Sequence, residues 1–187
     1  MGKKPKKPIR DLRDEEVHNM IALAKQENQV HYRMLLCLAF GGFRGGEVTG
    51  SKTLQGLQIQ DLEEDGIWVN GKGGYRDFQA LRTEVVKELK EEVGRRTQGK
   101  IFPYHQNTLY KVVRRYARLV GISDWKLIHP HSFRHFFGFS YAKLTGRDPW
   151  KVRDMMRHRS IQSTNKYVQH LEVEEKKKLA QEGLAFV

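Results

Sequence analysis

The 187-residue chain is poor in cysteine, poor in acidic residues relative to basic ones, and has no long apolar run. Its single cysteine, Cys37, lies in the apolar stretch MLLCLAF, so an internal disulfide and a cysteine-based zinc site are excluded. No run approaches the roughly 20 apolar residues of a membrane-spanning helix, and no apolar signal segment follows the basic N-terminus MGKKPKKPIR. We therefore expect an intracellular, cytoplasmic protein.

The balance of charge is strongly basic. Lys and Arg total 34 against 22 Asp and Glu, which gives a formal net charge of +12. An excess of this size favours a polyanionic partner, either nucleic acid or an anionic membrane surface, over a merely solubilising surface. No predicted helix combines a cationic face with a large apolar face, so the membrane surface is the weaker alternative.

Apolar periodicity predicts a mainly α fold with one small antiparallel β-sheet, an α+β domain. Residues 57–80 have strand character, with a hairpin tip at residues 70–74, and a short helix is expected to hold Tyr167. The other predicted helices begin near residues 11–14 or span about 31–41, 82–94, 107–119, 131–145, 149–157 and 172–182.

Five short motifs that carry polar residues occur in order along the chain. None is specific alone, because His and Arg are frequent here and a tyrosine on an amphipathic helix is usually a core residue. Their order and spacing are informative together. They are GGFRGGEV with Arg44 and Glu47, VNGKGGYR with Lys72, HSFRH with His131 and Arg134, MMRHRS with His158, and STNKY with Tyr167.

From about Asp11 to His170, this order resembles the signature of the tyrosine recombinase (phage integrase) family. The resemblance implies the catalytic-domain fold of that family over residues 11–171. Residues 1–10 would then be a basic flexible arm or a linker remnant. Residues 172–187 would be a helical tail that docks on a neighbouring protomer.

The resemblance also implies an enzyme that cleaves and rejoins DNA through a 3′-phosphotyrosine, without metal, cofactor or ATP. Arg44 and Arg134 can bind the non-bridging phosphate oxygens in a bidentate manner, and His158 can donate a third hydrogen bond. Tyr167 would be the nucleophile, and its phenol, with an ordinary pKa of about 10, needs neighbouring cations to lose its proton.

The remaining members of the set would assist the reaction. His131 would serve as a base or hydrogen-bond partner, and Lys72 would protonate the departing 5′ oxygen. Glu47 is expected to hold Arg44 in place, and His135 to lie in the core or behind the catalytic residues.

Double-stranded DNA is the partner that the resemblance implies, with a homotetramer on DNA, a monomer as one option for the free protein, and no membrane. In a prokaryote the protein would be associated with the nucleoid. The weaker candidate DNA contacts are Lys3, Lys4, Lys6, Lys7, Arg76, Arg157 and Arg159.

The sequence departs from the family pattern at three positions and in one larger respect. Arg157 stands where the family usually has Gly, and Gly45 and Gly46 replace apolar and small residues, which should loosen the helix start by about 1 kcal/mol per Gly. Only about ten residues precede the catalytic region, whereas family members generally carry an N-terminal core-binding domain. A fragment of a longer protein is slightly favoured over a minimal enzyme.

Three other functions compete with a recombinase. A type IB topoisomerase uses a similar residue set, but that family usually has Lys where this chain has His131. A DNA-binding module on the same fold would have no need of Tyr167. Finally, His129, His131 and His135 form an H-x-H-x₃-H pattern that could bind zinc, although no fourth ligand is obvious.

Overall fold

The first helix, α1 (Asp14–Glu27), follows from acidic residues in its first turn and an apolar stripe at helical spacing. Val17, Met20 and Ala24 lie on this stripe and are fully buried. The computed structural model describes residues 10–71 and 73–168, and over these residues the fold is mainly helical with a two-stranded antiparallel sheet. The predicted fold class is therefore confirmed.

The second helix, α2 (Gln29–Phe40), is the central buried helix. The side chain of Asn28 accepts a hydrogen bond from the His31 N–H, and the helix ends at Gly41. Met34 to Ala39 are all buried, including Cys37, and burial raises the pKa of the Cys37 thiol. This cysteine is therefore a core residue with little tendency to ionise.

The predicted strand character at residues 57–62 is wrong. Gln58 makes an isolated bridge with Lys100, Leu62 makes one with Ile67, and Ile59–Asp61 forms a 3₁₀ turn between them. The reason is local: the N–H groups of Asp61 and Leu62 turn back onto the carbonyls of Gln58 and Ile59, which ends the extended segment. The sheet itself consists of β1 (Gly66–Asn70) paired with β2 (Arg76–Ala80), around the predicted hairpin tip.

Of the next three helices, the last two have nearly the predicted bounds, whereas the first, which is short, was not predicted. After the short α3 (Gly45–Thr49), α4 (Thr83–Val93) buries Val85, Val86 and Leu89. The next helix, α5 (Gln106–Leu119), ends just before Gly121, whose φ of +80° suits a residue without a side chain.

The described chain divides into two compact units, one ending at Phe137 and one beginning at Gly138. The boundary falls within α6 (Pro130–Leu144). The second unit continues with α7 (Pro149–Met155), which is capped by the Asp148 carboxylate, and α8 (Asn165–Val168), which holds Tyr167 as predicted.

Several expectations fall on residues outside the described ranges, namely the basic arm up to residue 9, Lys72 and the predicted tail helix 172–182. Within the ranges that are described, no helix is both long and apolar enough to cross a membrane.

Candidate active site

Arg44 is held at the start of α3 by a buried carboxylate. Glu47, only 2% exposed, accepts hydrogen bonds from the Arg44 main-chain N–H at 2.8 Å and from its Nη1 at 2.6 Å. The Arg44 side chain remains 39% exposed, so its guanidinium is accessible to solvent while Glu47 holds it in place. The same carboxylate therefore caps the helix and orients the cation.

The two glycines that depart from the family pattern allow close packing around α3. A Cβ on Gly45 would lie 3.1 Å from Cβ of Pro130, and a Cβ on Gly46 would lie 3.2 Å from Cδ1 of Leu54. The loss of helix propensity at these positions thus accompanies a close approach between the start of α3 and the start of α6.

Arg134 is a buried cation on α6. It is 2% exposed, and its Nη1 donates a hydrogen bond to the main-chain carbonyl of Gly42. Gly42 precedes Arg44 by two residues and has a φ of +58°. The first unit therefore brings the segment that carries Arg44 together with the helix that carries His131 and Arg134.

His131 lies exposed in the first turn of α6, between two other histidines. Its main-chain N–H donates to Nδ1 of His129 at 3.2 Å, and its ring centroid lies 5.6 Å from that of His135. Burial, assisted by the charges of Arg114 and His135, lowers the pKa of His129. A lowered pKa keeps His129 neutral, which it must be to accept this hydrogen bond.

His135 is buried, and its Nδ1 lies 3.0 Å from Oδ1 of Asp11. His135 is thus covered, whereas His131 on the same helix is exposed. As for the alternative zinc site, no group of three His, Cys, Asp or Glu side chains within residues 10–71 and 73–168 is placed to hold a metal ion.

The second unit brings His158 and Tyr167 together. Their rings stack with centroids 6.0 Å apart and planes inclined by 18°. His158 is oriented through Nδ1, which lies 3.0 Å from Oγ1 of the fully buried Thr164. A phenol and an imidazole are thus held side by side on a short segment of chain.

Tyr167 is almost completely covered. The residue is 1% exposed, its ring packs edge-on against Phe139, and Nζ of Lys166 lies 4.7 Å from the ring centroid. The Arg147 guanidinium also approaches the main-chain carbonyl of Tyr167, at 3.4 Å. Since a phosphate must contact the phenolic oxygen, attack by Tyr167 requires its hydroxyl to be uncovered first.

The candidate DNA-contacting arginines differ in their surroundings. Arg159 is exposed, whereas Arg76 forms an ion pair with Asp61 at 2.8 Å and lies over the Trp68 ring. Arg157 has a φ of +51°, a left-handed conformation that glycine adopts without strain. This backbone geometry gives a physical reason for the glycine that the family usually has there. Lys72 and the four lysines of the arm lie outside the described residues.

Four residues contribute contacts to this site that were not predicted from the sequence. Asp11 lies within hydrogen-bond distance of His135, and His129 accepts a hydrogen bond from the main chain at the start of α6. Thr164 orients His158, and Gly138 lies directly beneath the Tyr167 ring. Only Gly138 carries a signal in the sequence, because a glycine within an apolar helix pattern often marks a close approach. The partners of the other three residues are distant in sequence or depend on side-chain orientation.

Comparison with known families gives one match that covers most of the chain. The model of the phage integrase family matches residues 10–174. Among curated proteins, a tyrosine recombinase of Pseudothermotoga lettingae is 29% identical over 171 residues, which covers 84% of this chain and 56% of that protein. The chain thus spans little more than half the length of this relative.

Solved structures with the same fold include XerA recombinase, with a TM-score of 0.74 and 23% identity over 98% of this chain and 68% of that one. The integrase of transposon Tn1549, solved with transposon right-end DNA, gives 0.70 and 18%, covering 95% of this chain and 66% of that one. XerH bound to its difH substrate gives 0.67 and 20%, covering 92% and 54%. At these identities the likeness shows the fold.

Proposed function

The chain belongs to the phage integrase family, and we propose that it is a site-specific DNA recombinase whose Tyr167 forms a covalent bond with a 3′ phosphate. The observation that carries this proposal is the stacked pair of His158 and Tyr167, with ring centroids 6.0 Å apart. It supplies a nucleophile and a hydrogen-bond donor for phosphate side by side, in the order along the chain that the family motif requires.

Arg44 and Arg134 are proposed to bind the non-bridging oxygens of the scissile phosphate. A guanidinium has five N–H donors in a planar fork, a geometry that suits bidentate binding of the phosphate oxygens. Glu47 orients Arg44 while lying beneath it, away from the partly exposed guanidinium. These fixed donors would stabilise the charge that builds up on the oxygens in the transition state.

In the proposed cleavage step, the Tyr167 oxygen attacks phosphorus and the bond from phosphorus to the 5′ oxygen breaks. His131 accepts the phenolic proton, directly or through water, and Lys72 gives a proton to the departing 5′ oxygen. Rejoining reverses these transfers, with a 5′ hydroxyl as the nucleophile and Tyr167 as the leaving group. The phosphotyrosine conserves the energy of the broken bond, so no ATP enters the proposal.

Double-stranded DNA is the proposed partner, supported by the net charge of +12 and by two DNA-bound structures of the same fold. We place the catalytic domain at residues 11–171 and propose four copies acting together on DNA, with residues 172–187 docking on a neighbouring copy. The arm lysines, Arg76, Arg157 and Arg159 are the proposed backbone contacts. Binding should therefore weaken steeply as salt rises.

The test is covalent capture on DNA. The 187-residue chain is incubated in EDTA with a pool of nicked duplexes that are randomised around the nick, and is then run on a denaturing gel. We expect a stable protein–DNA adduct that Tyr167→Phe abolishes and that Tyr104→Phe, a change at an exposed tyrosine, leaves intact. An adduct that survives Tyr167→Phe would contradict the assigned nucleophile.

The same experiment separates the competing functions. Salt-sensitive DNA retention with no adduct at any sequence would favour a binding module over a recombinase. Adducts formed without sequence preference, together with relaxation of a supercoiled plasmid, would favour a type IB topoisomerase. Enrichment of a defined sequence among the captured duplexes supports a site-specific recombinase.

A further inference from the structure

Gly138 occupies an unusual position for a glycine, well inside the 15-residue helix α6. Glycine is the poorest helix former after proline, because it loses the most backbone freedom when the helix forms. Its neighbours Phe136 and Phe137 are buried, so the position is not a flexible surface site. The presence of glycine at this position therefore calls for an explanation in the packing around it.

The packing supplies that reason. A Cβ placed on Gly138 would lie 2.6 Å from Cε1, 2.8 Å from Cζ and 2.9 Å from Cδ1 of Tyr167. The edge of the tyrosine ring therefore rests on the bare backbone of α6, in a space that any side chain at position 138 would fill. To reach the 3.4 Å of ordinary contact, the ring would have to move by about 0.8 Å.

The ring has little room for such a movement. Tyr167 is 1% exposed, Phe139 packs against it with ring centroids 5.0 Å apart, and His158 stacks on it. A displaced ring would have to push into these neighbours or swing out to solvent. Either movement would also break the stacking between Tyr167 and His158.

We propose that Gly138 is a positioning residue that seats the Tyr167 ring on α6 and so sets where its phenolic oxygen lies. The inference rests on the proposed role of Tyr167 as the nucleophile. Gly138 does not touch the phosphate; it acts through Tyr167 by leaving the ring its space. A misplacement of about 1 Å at a reacting group can slow a reaction by roughly 100-fold, so a displacement of this size is sufficient to matter.

Thermal stability tests the contact between Gly138 and the Tyr167 ring without any need for activity. In the native chain, Gly138→Ala should lower the melting temperature, because the added methyl group meets the ring. In a Tyr167→Ala background, which removes the ring, the same substitution should raise the melting temperature, because alanine is the better helix former. Ser140→Ala, at an exposed position two residues along α6, should behave alike in both backgrounds.

Tyrosine nitration, read by peptide mass spectrometry, provides a direct measure of the displacement. Tyr167 should react poorly in the native chain and at least several-fold faster in Gly138→Ala, with Tyr75, 61% exposed, as the reactive internal standard. Equal nitration of Tyr167 in the two proteins, together with a higher melting temperature for Gly138→Ala in both backgrounds, would contradict the proposal that Gly138 positions the Tyr167 ring.

Single-turnover cleavage of the captured DNA sequence tests the positioning role. Gly138→Ala should lower the rate at saturating DNA by roughly 10- to 100-fold and leave the half-saturating DNA concentration unchanged. A general loss of folding would change both quantities. If the native chain forms adducts and Gly138→Ala cleaves equally fast, the inference fails and the proposed function stands. If the native chain forms no adduct at any sequence, the proposed function fails, and Gly138 is then a packing residue only.

Discussion

The two units of the chain hold their candidate catalytic side chains in different ways. In the first unit the cations are fixed by charge and by the main chain: Arg44 is paired with the buried Glu47, and Arg134 donates to the carbonyl of Gly42. In the second unit His158 is oriented by the Thr164 hydroxyl, and Tyr167 rests on Gly138 with the cations of Lys166 and Arg147 beside it.

This difference follows from what each side chain is proposed to do. An arginine that binds phosphate is already charged, and a buried carboxylate can hold it because charge-assisted hydrogen bonds are strong. A nucleophilic phenol has to lose a proton, and a carboxylate beside it would oppose that loss by like-charge repulsion. Shape and a hydroxyl group can position His158 and Tyr167 without adding negative charge. The first unit should therefore be sensitive to loss of charge, and the second to loss of shape.

The largest effect is expected at Glu47, where a substitution tests whether charge positions Arg44 in the first unit. Glu47→Ala removes the cap of α3 and the partner of Arg44, so unfolding should become easier by about 2–3 kcal/mol. Cleavage at saturating DNA should fall roughly 100-fold, because Arg44 loses its fixed orientation. Urea unfolding and single-turnover cleavage measure the two effects.

The matched control is Glu47→Gln, which keeps an oxygen to accept the Arg44 main-chain hydrogen bond but loses the charge. It should be more stable than Glu47→Ala and still slower than the native chain. Native cleavage rates in both variants would contradict the view that charge orients Arg44.

A smaller effect is expected at Thr164, in the second unit. Thr164→Val keeps the shape of this buried residue and removes the hydroxyl that orients His158, which should cost about 1–1.5 kcal/mol of stability. Cleavage should fall by roughly 10-fold as the imidazole loses its fixed orientation. Thr164→Ser restores the hydroxyl and should recover most of the rate. A valine variant that cleaves as fast as the serine variant would show that this hydrogen bond does not matter.

Backbone conformation in the second unit provides a further test, at Arg157. Arg157 has a φ of +51°, so Arg157→Gly should relieve strain and stabilise the chain by about 1 kcal/mol. Arg157→Ala removes the same side chain without relieving the backbone. It therefore separates the effect of backbone strain from the effect of losing the side chain. Guanidinium unfolding of the three proteins should place the glycine variant above the native chain, and equal stability of the glycine and alanine variants would refute the strain.

The smallest effect concerns pH and the histidine at the start of α6. His129 accepts the His131 N–H through Nδ1, and its pKa is lowered, mainly by burial and also by the charges of Arg114 and His135. The folded chain then binds a proton at His129 less readily than the unfolded chain does. The stability that this group contributes is fully present above pH 6.5, its ordinary pKa, and is lost as the pH falls through the lowered folded-state value.

His129→Asn tests this expectation, because asparagine can accept the same kind of hydrogen bond but does not titrate. The acid-side fall in melting temperature should become shallower without disappearing, since burial also lowers the pKa of His31. Melting curves between about pH 4 and pH 8, a range that brackets the ordinary pKa of histidine, provide the measurement. An unchanged slope in His129→Asn would contradict the assignment.

Much of the fold could be predicted because its signals are local. The apolar stripe of α1, the continuous apolar run of α2 and the Asp148–Pro149 start of α7 are patterns of neighbouring residues. The continuous strand expected at residues 57–62 was wrong because Ile59–Asp61 forms a 3₁₀ turn, and the flanking residues make only isolated bridges, Gln58 with Lys100 and Leu62 with Ile67 of β1. Alternation alone does not show where the partner strand ends.

The family, the fold class and the candidate catalytic set could be predicted from the chain alone, because the order and spacing of Arg44, His131, Arg134, His158 and Tyr167 are local properties. The residues that hold this set in place became apparent from the folded structure. Glu47 lies close to Arg44 in sequence and could be anticipated, whereas the contact of Gly138 with Tyr167 joins residues that are far apart in the chain. Such contacts depend on how helices pack at atomic distances, where one methyl group decides whether a ring fits.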